Sequence, residues 1–178
     1  GTIINTYSQR YSVRANNTFQ ASERVKFGLN LSGSYTKGRV TGGLGGGRNI
    51  IGSSFLMDPQ LKYQNDDGTY PVSFSQPGMF ANANYYLVLR DRNDNTSNMR
   101  GIVNAFSEIG IIDNLKYKIS LNADLSSDKN DAWVPSEANG GMFSAPPNPA
   151  WGNYYNSNTT NWLIENILTW NKTIANDH

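Results

Sequence analysis

The stretch from Gln9 to Thr36 alternates apolar and polar residues with a period of two, and no other feature constrains the fold as tightly. Val25, Phe27, Leu29, Leu31, Gly33 and Tyr35 fall on one parity, with Lys26, Gly28, Asn30, Ser32, Ser34 and Thr36 on the other. Just before them, Tyr11, Val13, Ala15 and Phe19 share one face, and Arg10, Ser12, Arg14, Asn16, Thr18 and Gln20 the opposite one. Such alternation is that of strands with one apolar and one polar face. The link between them, Ala21-Ser22-Glu23-Arg24, is short and polar, as a hairpin connection should be. Strands in globular proteins usually run about five or six residues. At roughly 3.3 Å per residue, each of these is long enough to cross a hydrocarbon layer while tilted. A transmembrane β-hairpin is expected.

The rest of the chain repeats the theme. The return strand of a second hairpin is clean: Leu115, Tyr117, Ile119, Leu121, Ala123 and Leu125 oppose Lys116, Lys118, Ser120, Asn122 and Asp124. Its partner alternates poorly (GIVNAFSEIGII), so its outward face stays open, and Asp113-Asn114 is the turn between them. A last strand carries Trp162, Ile164, Leu168 and Trp170 on one parity, with Leu163 and Ile167 spoiling the other. The spacing predicts strands at 9–20, 25–36, 99–112, 115–126 and 160–172 within one partial barrel domain, 1–178. Between them lie Lys37–Arg48, too rich in glycine for a strand or helix, and Asn49–Leu61, which reads as a short helix or turn. A tight turn follows at Asp66–Pro71, where Gly68 supplies positive φ, and loop character continues through Gln76-Pro77-Gly78. Residues 91–97 and 126–159 also read as loop. Short turns alternating with very long loops are the asymmetry of outer-membrane barrels. The fold class is therefore all-β: antiparallel up-and-down strands forming part of a transmembrane β-barrel, with long extracellular loops.

Composition excludes other classes. Cysteine is absent, which removes disulfide frameworks and thiolate metal sites. A net charge of +1 gives no reason to expect a nucleic-acid partner. No apolar run reaches the length of a membrane helix, and Gly1–Ile4 has neither the basic start nor the apolar core of a signal peptide. Five strands do not close a membrane barrel, because bacterial single-chain barrels have even counts of eight or more. An open edge is not viable in lipid, so an internal section of a longer chain is expected.

No catalytic constellation emerges, and neither enzyme activity nor a cofactor or metal is expected. Gly42 and Gly47 have phosphate-loop spacing, but Arg48-Asn49 follows where Lys-Ser/Thr is required. His178 is the sole histidine, which removes histidine-based triads and His-rich metal sites. The carboxylates at Asp66/Asp67 and Asp91/Asp94 sit in turn-like sequence without calcium-loop or glycosidase spacing. Six aromatics placed in loops, Tyr85, Tyr86, Trp133, Trp151, Tyr154 and Tyr155, suit sugar stacking or partner docking, or else pack the loops together or sit in the outer aromatic girdle. Tyr11, Trp162 and Trp170 read as lipid-facing or girdle residues. Arg10, Arg14, Lys26, Lys116 and Lys118 are expected to face the lumen.

Several stretches resemble the SusC/RagA-like TonB-dependent transporters of Bacteroidetes outer membranes. They are Arg10–Asn16, Val25–Tyr35, Asn65-Asp66-Asp67-Gly68-Thr69-Tyr70-Pro71, the strand start Leu115-Lys116-Tyr117-Lys118, and Glu165–Thr173. The last is similar to that family's ENTLTYNKTF strand, with Ile167 and Trp170 departing from it. The resemblance implies a middle section of a plugged barrel of about 22 strands. It also implies import of glycans or peptides, a SusD-like surface lipoprotein as partner, the TonB complex as energy source through a plug region this sequence lacks, and a Gram-negative outer membrane as location. In a bacterial protein the sequons at Asn16, Asn95 and Asn158 carry no meaning. The rival readings are a soluble β-sheet glycan-binding or adhesion domain and a passive porin.

Overall fold

The computed structural model describes residues 3–40, 50–55, 60–71, 73–74, 82–140 and 146–172. The alternating stretches form long strands: β1 (Tyr7–Ser22), β2 (Val25–Arg39), β5 (Asn93–Ile112), β6 (Leu115–Val134) and β7 (Trp151–Trp170). They make one antiparallel up-and-down sheet in the order β1-β2-β5-β6-β7. Between β2 and β5 lie a short helix α1 (Ile50–Ser54), a minimal ribbon of β3 (Ser73–Phe74) with β4 (Asn82–Ala83), and helix α2 (Tyr85–Asp91). A 3₁₀ turn, Ser136–Ala138, follows β6.

The strands run further than hydropathy alone places them. β1 begins at Tyr7 and ends at Ser22, leaving only Glu23-Arg24 as the turn. β5 takes in Asn93–Asn98, β6 continues to Val134, and β7 starts at Trp151. The length added to β5, Asn93–Asn98, is polar on both parities. Those added to β6 and β7 mix polar runs with Ala132-Trp133-Val134 and with Trp151, Tyr154 and Tyr155, so none shows the alternation that reveals a strand. What holds them is pairing. Asn130 Nδ2, for instance, donates to Asp94 Oδ1 at 2.8 Å, tying β6 to β5.

The β2–β5 register can be read from its bonds. The Gly110 amide donates to the Arg24 carbonyl at 2.7 Å, Asn30 Nδ2 reaches Asn104 Oδ1 at 2.9 Å, and the Val40 amide donates to the Asp94 carbonyl at 3.0 Å. All three obey a single offset. It sets Gly28 against Phe106 and Gly33 against Gly101.

Contacts divide the chain into two compact units. One comprises residues 10–36, 98–128 and 157–178, where the strands alternate most cleanly. The other comprises 1–9, 37–97 and 129–156, and contains α1, α2 and the 3₁₀ turn. Its core gathers Ile50, Ala83, Tyr85 and Val88, with Leu89 packed against them. Among the described residues no helix is long and apolar enough to cross a membrane. The glycine run at 42–47, Gln76-Pro77-Gly78 and His178 lie outside the described residues.

Candidate functional site

Side-chain contacts assign the two faces of the strand-rich unit. A directed row of amides crosses four strands. Asn30 donates to Asn104 at 2.9 Å, Asn104 Nδ2 to Asn122 Oδ1 at 2.6 Å, and Asn122 Nδ2 to Glu165 Oε2 at 2.9 Å. Ser120 Oγ donates to the same Glu165 oxygen at 3.2 Å. On this face Arg100 grips Asp124 through two bonds of 3.0 and 2.6 Å, Asn98 bonds Asp128, and the Lys118 ammonium lies 4.6 Å from the Phe106 ring centre. Lys116 faces Glu108 at 3.7 Å.

Lys26, Lys116 and Lys118 thus share one polar face with Asn30, Asn104 and Asn122. Arg10 and Arg14, on the edge strand β1, line a shallow depression there with Ser32, Ser34 and Arg100. The even-numbered residues of β5 belong to this face, so Met99, Val103, Ala105, Ile109 and Ile111 belong to the other.

That other face is apolar and exposed on all five strands. Val13, Phe27, Leu121, Trp162 and Trp170 represent it, with Trp162 71% and Trp170 67% accessible. Tyr117 Oη donates to Asn166 Oδ1 at 2.6 Å, one of few polar contacts on this side.

The second unit holds an aromatic clip that sequence reading missed. The turn at 65–69 closes through Asn65 N to the Thr69 carbonyl at 2.8 Å and Gly68 N to the Asn65 carbonyl at 3.0 Å, with Gly68 at φ 83°. Asp67 Oδ1 accepts from the Thr69 hydroxyl at 2.6 Å and its amide at 2.9 Å, which hold this carboxyl below the ordinary carboxylate value. The turn brings Tyr63 and Tyr70 to the same ring, Tyr86. Tyr70 stacks on it at 5.1 Å and 12°, and Tyr63 tilts against it at 5.2 Å and 46°. Arg90, paired with Asp91, lies 4.9 Å from the Tyr70 ring centre. The Tyr86 hydroxyl, hydrogen-bonded to that of Tyr70, raises the Tyr70 pKa.

Asn84 holds the clip to α2. Its carbonyl oxygen caps the helix by accepting from Tyr86 N at 3.1 Å. Its Nδ2 donates to the Tyr63 carbonyl at 2.7 Å and the Pro71 carbonyl at 2.9 Å, and the residue is 1% exposed. The only hints in the sequence were tyrosines flanking the NDDGTYP turn and an Asn before Tyr-Tyr.

The six candidate aromatics do not converge. Tyr85 is 8% exposed in the core of its unit, because α2 turns it under while Tyr86 looks to the clip. Trp133 belongs to β6, and Trp151, Tyr154 and Tyr155 to β7, not to loops; an added Cβ on Gly152 would meet Trp133 at 3.0 Å. The carboxylate pairs also separate: Asp66 bonds Lys62, Asp67 bonds Thr69, Asp91 bonds Arg90 and Asp94 accepts from Asn130. No group of three or more metal-ligating side chains occurs among the described residues.

An apolar face opposite a hydrogen-bonded polar face, held over five long antiparallel strands, is the construction of a barrel wall. A curated protein of Formosa agariphila, TonB-dependent receptor P3, is 29% identical over 98% of this chain. The chain is similar to a TonB-dependent receptor. It spans 17% of that receptor's length. No protein-family model matches the chain.

Proposed function

We propose that the chain is a wall segment of an outer-membrane TonB-dependent transporter of the SusC/RagA-like kind. The observation that carries this is the exposed apolar face running over all five strands, with the row from Asn30 to Glu165 and the Arg100–Asp124 pair on the opposite side. The similarity to a TonB-dependent receptor supports it. In this reading Arg10, Arg14, Lys26, Lys116 and Lys118 line the lumen. The long connections are extracellular, and the parent protein imports glycans or peptides together with a SusD-like surface lipoprotein. Energy comes from the TonB complex, contacted elsewhere in the parent chain. The clip of Tyr63, Tyr70 and Tyr86 offers a rigid aromatic surface for substrate or lipoprotein.

The test is fractionation of source cells followed by detergent extraction of the parent protein. Recovery from the outer membrane, heat-dependent gel mobility, co-purification of a lipoprotein and TonB-dependent uptake are expected. A free soluble protein that binds sugar would replace this reading with an adhesion domain. Diffusive uptake without TonB would replace it with a porin.

A further inference from the structure

We infer that the apolar face carries a seat for one acyl chain of a bilayer lipid, opened by the cross-strand pair Gly33 and Gly101. A groove of about 630 Å³ lies on this side of the strand-rich unit, running from Tyr11 and Val13 on β1 past both glycines to Leu125 on β6 and Thr160 on β7. Gly33 and Gly101 stand opposite each other in the β2–β5 register. Their neighbours on the same face, Leu31 with Val103 and Tyr35 with Met99, carry full side chains, so the pair makes a notch.

Nothing local requires glycine there. Neither residue has a left-handed φ; a Cβ at Gly101 would meet nothing within 4 Å, and one at Gly33 only Val13 Cγ1 at 3.4 Å. Glycine in a strand interior weakens the strand and marks places where something approaches the backbone closely. The consequence of this pair is an open groove.

What fills it follows from the solvent of this face. The inference rests on the proposed membrane reading, in which these residues look into hydrocarbon. Water is absent there, and an unfilled groove loses dispersion contacts along its whole lining. An alkyl chain is the filler of matching chemistry, against walls of Val13, Met99 and Leu125. The groove also carries hydroxyls, at Tyr11, Tyr35, Ser127 and Thr160, where β6 passes from apolar Leu125 to polar Ser127. Those donors suit the ester carbonyls at the head of an acyl chain, and they place the seat at the edge of the apolar band.

The experiment is native mass spectrometry of the full-length parent protein in mild detergent, titrated with lipid A, the acylated lipid of the extracellular leaflet toward which this end of the band lies. One saturable adduct is expected in the wild type. Gly101→Leu, whose side chain has room to enter the groove, should lower its occupancy about tenfold or more by displacing several chain methylenes. Ser127→Leu fills the groove from β6 and should act the same way, while Ile111→Leu, outside the groove, should leave the adduct unchanged. Heat-dependent gel mobility checks that each variant is folded. An adduct that survives both filling substitutions, or a wild type with only a non-saturable lipid distribution, overturns the seat. A parent protein recovered without detergent from the soluble fraction overturns the membrane reading instead.

Discussion

Phe106 lies across Gly28. A methyl group built on that glycine would fall 2.0 Å from the Phe106 ring edge, so the aromatic side chain occupies the space the glycine leaves empty. Ring-over-glycine pairing across adjacent strands shields a position that would otherwise be weak. Lys118 approaches the same ring from β6, joining three strands at one point. Gly28→Ala should force the ring aside and cost about 1–3 kcal/mol of stability, as overpacking does. Thermal unfolding of the parent protein measures this, and Phe106→Leu in the same chain should recover part of the loss.

The face assignment of β5 makes a sharper prediction. Val103→Arg or Ala105→Arg puts a charge on the apolar side and should cost about 2–4 kcal/mol near the membrane midplane, blocking assembly. Ile102→Arg, on the polar side, should assemble normally. Heat-dependent gel mobility and outer-membrane yield separate the two outcomes, and equal behaviour would reverse the assignment.

Asn104 is both donor and acceptor in the amide row. Replacing it with Ala leaves the Asn30 amide without its acceptor and the Asn122 carbonyl without its donor, at a cost of about 1–3 kcal/mol. A double-mutant cycle of Asn104 with Asn122 should give coupling of about 0.5 kcal/mol or more, because the two share one hydrogen bond. A coupling near zero would mean the row adds nothing beyond its separate residues.

The turn at 65–69 should respond to acid. The Thr69 hydroxyl and amide hold the Asp67 pKa below its ordinary 3.8. Folding therefore favours the ionised form. Its contribution is present above pH 3.8 and is lost as pH falls through the lower value in the folded turn. The Thr69 amide resonance should hold its position from neutral pH to below 3.8 and shift only under stronger acid. Asp67→Asn should remove that transition.

Where one face is apolar and the other polar, the chain declares its strands, and β2 is legible residue by residue. β5 is not, because Ile102, Phe106 and Ile112 stand on its polar face; Phe106 is there only because Gly28, far away in sequence, makes room. The ends of β5, β6 and β7, polar or irregular in pattern, are invisible to periodicity for a related reason. Pairing sustains them, and pairing is a property of two strands. The clip is hidden in the same way, since Tyr63, Tyr70 and Tyr86 meet through a turn and a helix cap that bring distant positions together. Tyr85 and Tyr86 are adjacent and equally aromatic, and the direction of a single short helix separates a core residue from a clip residue.

The two-residue turns at Glu23-Arg24 and Asp113-Asn114 act as a fixed datum for the sheet. Strand offsets are counted from that end, so lengthening or trimming the connections at 40–92 and 135–150 leaves every cross-strand partner in place. A chain built this way can exchange what it shows to the outside without renegotiating its wall. Grafting a foreign segment between Val40 and Arg92 thus changes the connection alone, while a single residue added at Glu23 would turn an entire strand inside out.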